Sequence, residues 1–473
     1  MSHIKSNMII QHKNCFVNDL LKNFIDFIKK KFIGIYNSMI YFGTDGIRGI
    51  VCDELTQDIC QKCGNALASL KPNCNIVLGT DTRLSASFVM SSFVSGATLA
   101  GANVCFVGIV PTPAISFLVQ ELKADFGVMI TASHNPAEYN GIKIFGSDGR
   151  KIDTVLENQI ERNFAKQKIC KNKLGKLSVR NDYSKKYIDY IAKIAENLQG
   201  VKIVVDTSNG ANYKIAKKVF KKLGADCKFI NCKNDGKNIN NYCGALYPQK
   251  LAQYVKKYDA DVGFAFDGDA DRIVVVDEKG DVIDGDQIML YLAKMYKRFD
   301  ILKSNQIVAT VQTNMGVEKE FEKMGLKLIR TDVGDKNVTD CLIKNNLQIG
   351  GEQAGHIILT DYGKTGDGLL TAVVISKFLL ESKEKLGENI FFGLYSQIQK
   401  NICVKDKYKI INSAKLKLVI TDLEKQLENG RILVRASGTE PKVRIMVESL
   451  NLDLSKRIMS NIEKFVQEFD KIN

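Results

Sequence analysis

A chain of 473 residues, 45% hydrophobic and 25% charged, with six prolines and no low-complexity tract, has room for about three globular domains of ordinary size. No apolar run reaches the ~20 residues of a membrane span, and no clean apolar stretch with a small-residue cleavage site opens the chain, so a cytoplasmic protein is expected. The formal charge of +14 is spread along the chain rather than gathered on one stripe, which argues against nucleic-acid binding and at most favours anionic small substrates.

Residues 1–39 stand apart as an extension. The stretch "FVNDLLKNFIDFIKKKFIGIYNS" (16–38) spaces apolar residues helically with lysines between them, the pattern of a segment lying on a membrane surface or a partner. The other reading is that translation starts at Met39. The twelve cysteines are scattered singly through apolar segments, as buried thiols in a reducing compartment are. Cys60 and Cys63 form one CxxC without the second ligand pair of a zinc site, and are expected to be a plain helical pair.

A repeat then appears three times, over 75–108, 202–231 and 306–332. Each copy is an aliphatic strand, a polar loop, an amphipathic helix, a glycine and a second aliphatic strand. These are βαβ units whose continuous apolar strands predict parallel sheets covered on both faces, with ligand sites at the strands' carboxyl ends. After about residue 396 the rhythm changes. A helical segment (413–428), two alternating strands joined by "GTEPK" and a final helix predict a small α+β domain. The expected fold is therefore α/β, with three related domains of mixed, mainly parallel sheets plus a C-terminal α+β domain around one cleft. The boundaries are placed at 40–183, 184–283, 284–395 and 396–473.

The chemistry sits in loops. "TASHNP" (131–136) puts Ser133 and His134 at the end of an apolar strand. The G-x-S-x-G elbow of a serine hydrolase is absent, and adjacent residues are not expected to present the serine hydroxyl to the neighbouring imidazole. A phosphoryl-carrying serine fits better. "FAFDGDADRIVVVD" (264–277) places Asp267, Asp269 and Asp271 in one loop between two strands. Three clustered carboxylates repel unless a cation neutralises them, and hard oxygen donors suit Mg²⁺. An EF-hand fails for want of the loop glycine and the closing glutamate. Arg272 follows and could hold a phosphate beside the ion. "GTDGIRG" (43–49) and "GTDTRLS" (79–85) offer Arg48 and Arg83, each either part of a turn or a guanidinium fork on a phosphate. "GGEQAGH" (350–356) brings Glu352, Gln353 and His356 into a loop suited to hydroxyl recognition. "RASGTEPKVR" (435–444) gathers Arg435, Ser437, Gly438, Thr439 and Arg444 in a hairpin that is either an anion nest or an ordinary polar turn.

In this order, "GTDGIRG", "TASHNP…YNGIK", "DGDADR", "GGEQAGH" and "RASGTEP" resemble the α-D-phosphohexomutase superfamily, and within it the bacterial enzymes acting on glucosamine phosphates. The resemblance runs from residue 40 to 473. It implies that Ser133 is a phosphoserine sharing one Mg²⁺ per subunit with the three aspartates. Arg48, Lys143 and His134 would assist transfer, "GEQAGH" and Lys336 would contact the sugar, and "RASGTEP" would hold the phosphate that is not reacting. The implied reaction interconverts glucosamine 6-phosphate and glucosamine 1-phosphate through glucosamine 1,6-bisphosphate, which also activates the enzyme, and feeds UDP-N-acetylglucosamine synthesis. A homodimer is compatible with it. Three positions depart from the pattern: Ala354 where serine is usual, Lys336 where arginine is usual, and "NNYCGALYP" (240–248). The alternatives are a phosphomannomutase/phosphoglucomutase and a non-catalytic sugar-phosphate-binding paralogue.

Overall fold

The computed structural model describes residues 42–472, apart from 44, 171–172, 391–392 and 439. The stretch 16–38 and the reading of Met39 as the start lie outside the described residues. Four sheets follow one another along the chain. The first contains β1 (Ile47–Ile50), β2 (Asn75–Thr80), β3 (Asn103–Ile109), β4 (Phe126–Ile130), β5 (Tyr139–Gly146) and β6 (Leu177–Val179), in the order β1-β5-β4-β2-β3-β6. The second, β7 (Lys202–Asp206), β8 (Asp226–Ile230), β9 (Val262–Phe266), β10 (Ile273–Asp277) and β11 (Val282–Ile283), has the order β11-β10-β9-β7-β8. The third, β12 (Gln306–Thr310), β13 (Lys327–Thr331), β14 (Ile349–Gly351) and β15 (Ile357–Leu359), has the order β13-β12-β14-β15.

All three read repeats are βαβ units with parallel strand pairs, β2 with β3, β7 with β8 and β12 with β13. The sheets are nevertheless mixed, because β5, β10 and β15 return antiparallel beside β4, β9 and β14. The central strands β4 and β9 are buried along their whole length, which is why they read as unbroken apolar runs.

The recurrence has a consequence for the site. In each sheet two parallel neighbours, β2/β4, β7/β9 and β12/β14, send the following chain in opposite directions across the sheet. That divergence opens a crevice at their carboxyl ends. Ser133 follows β4, the three aspartates follow β9 and Glu352 follows β14, so the three loops hold equivalent positions in three related sheets.

The fourth sheet, β16 (Ser396–Cys403), β17 (Arg431–Ala436) and β18 (Lys442–Ser449), is antiparallel in the order β16-β18-β17. Its strand β16 had no counterpart in the sequence reading, and the helix expected over 413–428 is Ala414–Glu424, preceded by a short helix Lys407–Ile411. This sheet has its own apolar core, around Ile402, Ile445 and Val466, whereas one continuous core runs through the first three sheets. Cys60 and Cys63 are buried on the helix Gln57–Leu70, as the plain reading has it. No helix among the described residues is long and apolar enough to cross a membrane.

Candidate active site

Ser133 lies in the left-handed region, at φ 52°, where a non-glycine residue is strained and persists only if its surroundings impose it. Arg83 imposes it. Its buried guanidinium pairs with Asp81, Nε to Oδ2 at 2.9 Å. Nη2 donates to the carbonyls of Ser133 (3.0 Å) and Asn135 (2.8 Å), and Nη1 to those of Tyr139 (2.9 Å) and Pro136. Asn240 Nδ2 donates to the Ser133 carbonyl as well, at 2.8 Å. All five N–H groups of the guanidinium are engaged, so Arg83 shapes the serine loop and has no N–H left for a substrate phosphate, and of the two readings of "GTDTRLS" the structural one holds.

The serine hydroxyl donates to Asp267 Oδ2 at 2.6 Å. His134 Nδ1 stands 3.3 Å from Ser133 Oγ, so the two neighbours do meet, against the sequence expectation. Burial, with the charges of Arg272 and Arg48, pulls the His134 pKa down to about 4. The ring is neutral near pH 7.

Asp267, Asp269 and Asp271 project from the β9–β10 loop, with Ala270 between them in the left-handed region at φ 58°. Ligand oxygens of the three lie within 4.8 Å of one another, and among the described residues no other group of acidic, histidine or cysteine side chains has this arrangement. Burial, then repulsion from Asp269 and Asp271, drives the Asp267 pKa well above the usual carboxylate range. Oδ1 of Asp269 and Oδ1 of Asp271 are buried without a hydrogen-bond partner. Buried carboxylate oxygens without partners, in a cluster this tight, fit a divalent cation.

Lys143, on β5, is buried with Nζ 2.8 Å from Asp269 Oδ2, 2.9 Å from Asp271 Oδ2 and 3.3 Å from Asp45 Oδ2. Burial opposes its charge, but these carboxylates outweigh burial and hold its pKa well above the usual lysine value. Arg48 Nη1 donates to Asn135 Oδ1 at 3.1 Å, and its Nη2 pairs with Asp45. Lys151 Nζ lies 2.5 Å from Asp45 Oδ1 and 2.6 Å from Asp335 Oδ2. His356 Nε2 accepts from Gly366 N at 3.0 Å and lies 3.4 Å from Asp335 Oδ2, while Nδ1 lies 3.9 Å from Asp271 Oδ2. Lys143, Asp45, Lys151, Asp335, His356 and Asp271 thus close a ring of basic and acidic side chains.

This ring borders a cleft of about 760 Å³ that also receives Arg272, Glu352, Gln353, Arg435 and Arg444. Glu352 Oε1 accepts from Gly334 N at 3.0 Å, and Gln353 Nε2 donates to Gln397 Oε1 at 3.1 Å. Arg435 and Arg444 stand directly opposite each other on β17 and β18. Burial first, then the Arg444 charge, lowers the Arg435 pKa. Arg444 Nε is buried without a partner. Like charges across a strand pair are unfavourable, and an anion between them removes the penalty. Ser437 Oγ accepts from Arg444 Nη2 at 3.2 Å, Gly438 is exposed at the tip, and Thr439 lies outside the described residues. Lys336 is not brought to the cleft: its Nζ reaches Thr154 Oγ1 at 3.3 Å.

Sequence reading missed Asp45, Lys151, Asp335 and Lys407. Lys407 Nζ donates to the carbonyls of Ser437 (2.5 Å), Glu440 (3.1 Å) and Gly438 (3.2 Å) and so shapes the hairpin tip. Asp45 carried a signal, beside a glycine in "GTDGIRG", and Asp335 lies between Gly334 and the Lys336 already singled out. Lys407 and Lys151 carried none among so many lysines. A second cleft of about 740 Å³, lined in part by Arg83, Met90 and Phe106, contains none of the three aspartates.

Comparison with known proteins accounts for this layout. Models of the phosphoglucomutase/phosphomannomutase alpha/beta/alpha domains I, II and III match residues 39–169, 185–280 and 284–392, and the model of the C-terminal domain matches 400–464. The chain belongs to the phosphoglucomutase/phosphomannomutase family. Like other phosphohexomutases it is an isomerase. A phosphoglucosamine mutase of Thermodesulfovibrio yellowstonii is 44% identical over 447 residues, covering 90% of this chain and 98% of the relative. Among solved structures, a phosphoglucomutase/phosphomannomutase family protein of Burkholderia thailandensis has the same fold, with a TM-score of 0.75 at 24% identity over 90% of this chain and 97% of the other. The N-acetylphosphoglucosamine mutase of Aspergillus fumigatus, solved with GlcNAc-6P and magnesium, has a TM-score of 0.65 at 17% identity over 92% and 96% of the two chains.

Proposed function

We propose that this phosphohexomutase interconverts glucosamine 6-phosphate and glucosamine 1-phosphate, with Ser133 carrying the phosphoryl group. The observation behind this reading is the pairing of two anion sites across one cleft. Asp267, a member of the aspartate cluster that accepts from the buried Ser133 Oγ, lines the same cleft as Arg435 and Arg444. A sugar with a phosphate at one end and a free hydroxyl at the other spans such a cleft in either orientation.

In the proposed cycle phosphorylated Ser133 gives its phosphoryl group to the free hydroxyl, whose proton is taken up within the site. The resulting 1,6-bisphosphate turns end for end, and its other phosphoryl group returns to Ser133 Oγ. Asp267, Asp269 and Asp271 would hold one Mg²⁺, which supplies charge neutralisation to the phosphoryl oxygens. Lys143 and Arg48 stabilise the charge spread over the transferring group. Glu352, Gln353 and His356 orient the sugar hydroxyls, and Arg435 with Arg444 holds the distal phosphate. Glucosamine 1,6-bisphosphate primes enzyme that has lost its phosphoryl group. Preference for the amino sugar is supported by the likeness to curated phosphoglucosamine mutases; the cationic 2-ammonium group also suits a cleft rich in carboxylates.

The test is a coupled assay with Mg²⁺ and a trace of hexose 1,6-bisphosphate, comparing glucosamine 6-phosphate with glucose 6-phosphate and mannose 6-phosphate. Preference for the amino sugar is expected. Equal or better use of a neutral hexose would refute the substrate assignment, and turnover retained by Ser133→Ala would refute the phosphoserine.

A further inference from the structure

We propose that Lys151 is a positioning residue of this reaction, holding the reacting side of the cleft and its sugar-side loops in register between the first and third sheets. The proposal rests on the phosphohexomutase reading above. Lys151 stands between two carboxylates that belong to different loops, Asp45 before β1 and Asp335 after β13, with Nζ at 2.5 and 2.6 Å. Only 14% of its side chain is exposed. Asp45 in turn orients Arg48 and Lys143. Asp335 opens the helix Asp335–Lys344, touches His356 at 3.4 Å and follows Gly334, whose N–H binds Glu352. One ammonium therefore sits where displacement on either side reaches a group facing the substrate.

The electrostatics require a cation here. Asp45 and Asp335 are both largely enclosed, with 24% and 13% of their side chains exposed, and the Asp45 charge bears against that of Asp335 while Lys151 offsets it. Without a charge between them they separate, and removing one partner of a buried pair leaves an uncompensated anion. Two other contacts join the same segments, Arg150 to Asp340 at 3.6 Å and Lys336 to Thr154 at 3.3 Å. Both are at exposed side chains, where ion pairs and single hydrogen bonds contribute little. Lys151 is the least exposed of the three basic residues and the one that lines the cleft.

The experiment compares Lys151→Met, Lys151→Arg, Asp335→Asn and the double variant Lys151→Met/Asp335→Asn in the full chain. It measures steady-state kinetics and, without substrate, amide exchange over residues 331–344. Lys151→Met is expected to lower kcat/KM by about 100-fold, the size of loss that a small misplacement of reacting groups brings. Lys151→Arg should keep at least a tenth of wild-type kcat/KM, and the double variant should be no worse than Lys151→Met because the pair acts as a unit. Exchange over 331–344 should quicken in Lys151→Met. Wild-type kinetics in Lys151→Met, additive losses in the double variant, or a loss shared by Lys151→Arg with exchange unchanged would overturn the proposal. If Lys151→Met does not fold, Lys151→Arg and Asp335→Asn decide by the same measures. A wild-type protein inactive on every hexose phosphate would overturn the proposed function instead, while the exchange measurement would still judge the register.

Discussion

Replacing Arg83 by methionine removes the guanidinium that forces Ser133 into its left-handed turn. The substitution leaves Asp81 buried, with Thr131 Oγ1 at 2.7 Å and the Arg83 backbone N–H at 3.0 Å as its remaining donors. Breaking a buried ion pair from one side costs about 3–5 kcal/mol. The carbonyls of Ser133, Asn135, Pro136 and Tyr139 also lose a donor, at about 1 kcal/mol for each that water does not reach. A total near 5 kcal/mol lowers the first melting transition by about 10–20 °C for a domain of this size. The assay is thermal unfolding of Arg83→Met, Arg83→Lys and the double variant Arg83→Met/Asp81→Asn. The lysine variant should fall between, since one ammonium cannot serve one carboxylate and four carbonyls, and the double variant should regain part of the loss because no bare charge remains. A melting point for Arg83→Met within 2 °C of wild type would refute the reasoning. So would an intact melting point with a raised KM in Arg83→Lys, which would return Arg83 to the role of phosphate ligand.

Three further outcomes are expected. Adding Mg²⁺ should raise the melting point of the wild type, by about 2.7 kcal/mol of stabilisation at one hundred times Kd, and Asp269→Asn/Asp271→Asn should not respond; equal responses would remove the cation from that loop. Gly366→Ala should cut kcat/KM roughly tenfold or more in a folded protein, because its Cβ would stand 2.4 Å from His356 Nε2; unchanged kinetics would show that the ring position does not matter. Burial, with the Asp284 charge beside it, raises the Asp286 pKa to about 8. A carboxyl raised on folding contributes stability that is present below about pH 4 and lost as pH rises toward 8, so Asp286→Asn should lose less stability than wild type between pH 5 and pH 8. An equal loss of unfolding free energy between the two pH values in wild type and Asp286→Asn, measured by urea titration, would contradict that assignment.

The sequence alone was enough for the architecture and for the chemistry of the separate loops. Apolar runs of five residues beside amphipathic helices could only be buried strands of βαβ units, because a strand covered on both faces has no polar position to spare. The three aspartates were legible because three carboxylates so close in sequence need a counter-charge wherever the loop points. What the sequence could not supply was which loops meet. Asp45 and Asp335 lie 290 positions apart in the numbering, and nothing local says that one lysine, Lys151, stands between them. Arg83 looked like Arg48 in sequence, each after a glycine and an aspartate. Only the packed structure separates them, since the Arg83 guanidinium is enclosed by carbonyls of the serine loop while Arg48 faces the cleft. Lys336 went the other way, assigned to the sugar by the family resemblance and placed by the helix Asp335–Lys344 against Thr154. Patterns of polarity along a chain record whether a residue is buried. They carry no record of the partner it is buried against, and it is the partner that decides whether an arginine holds a loop or a substrate.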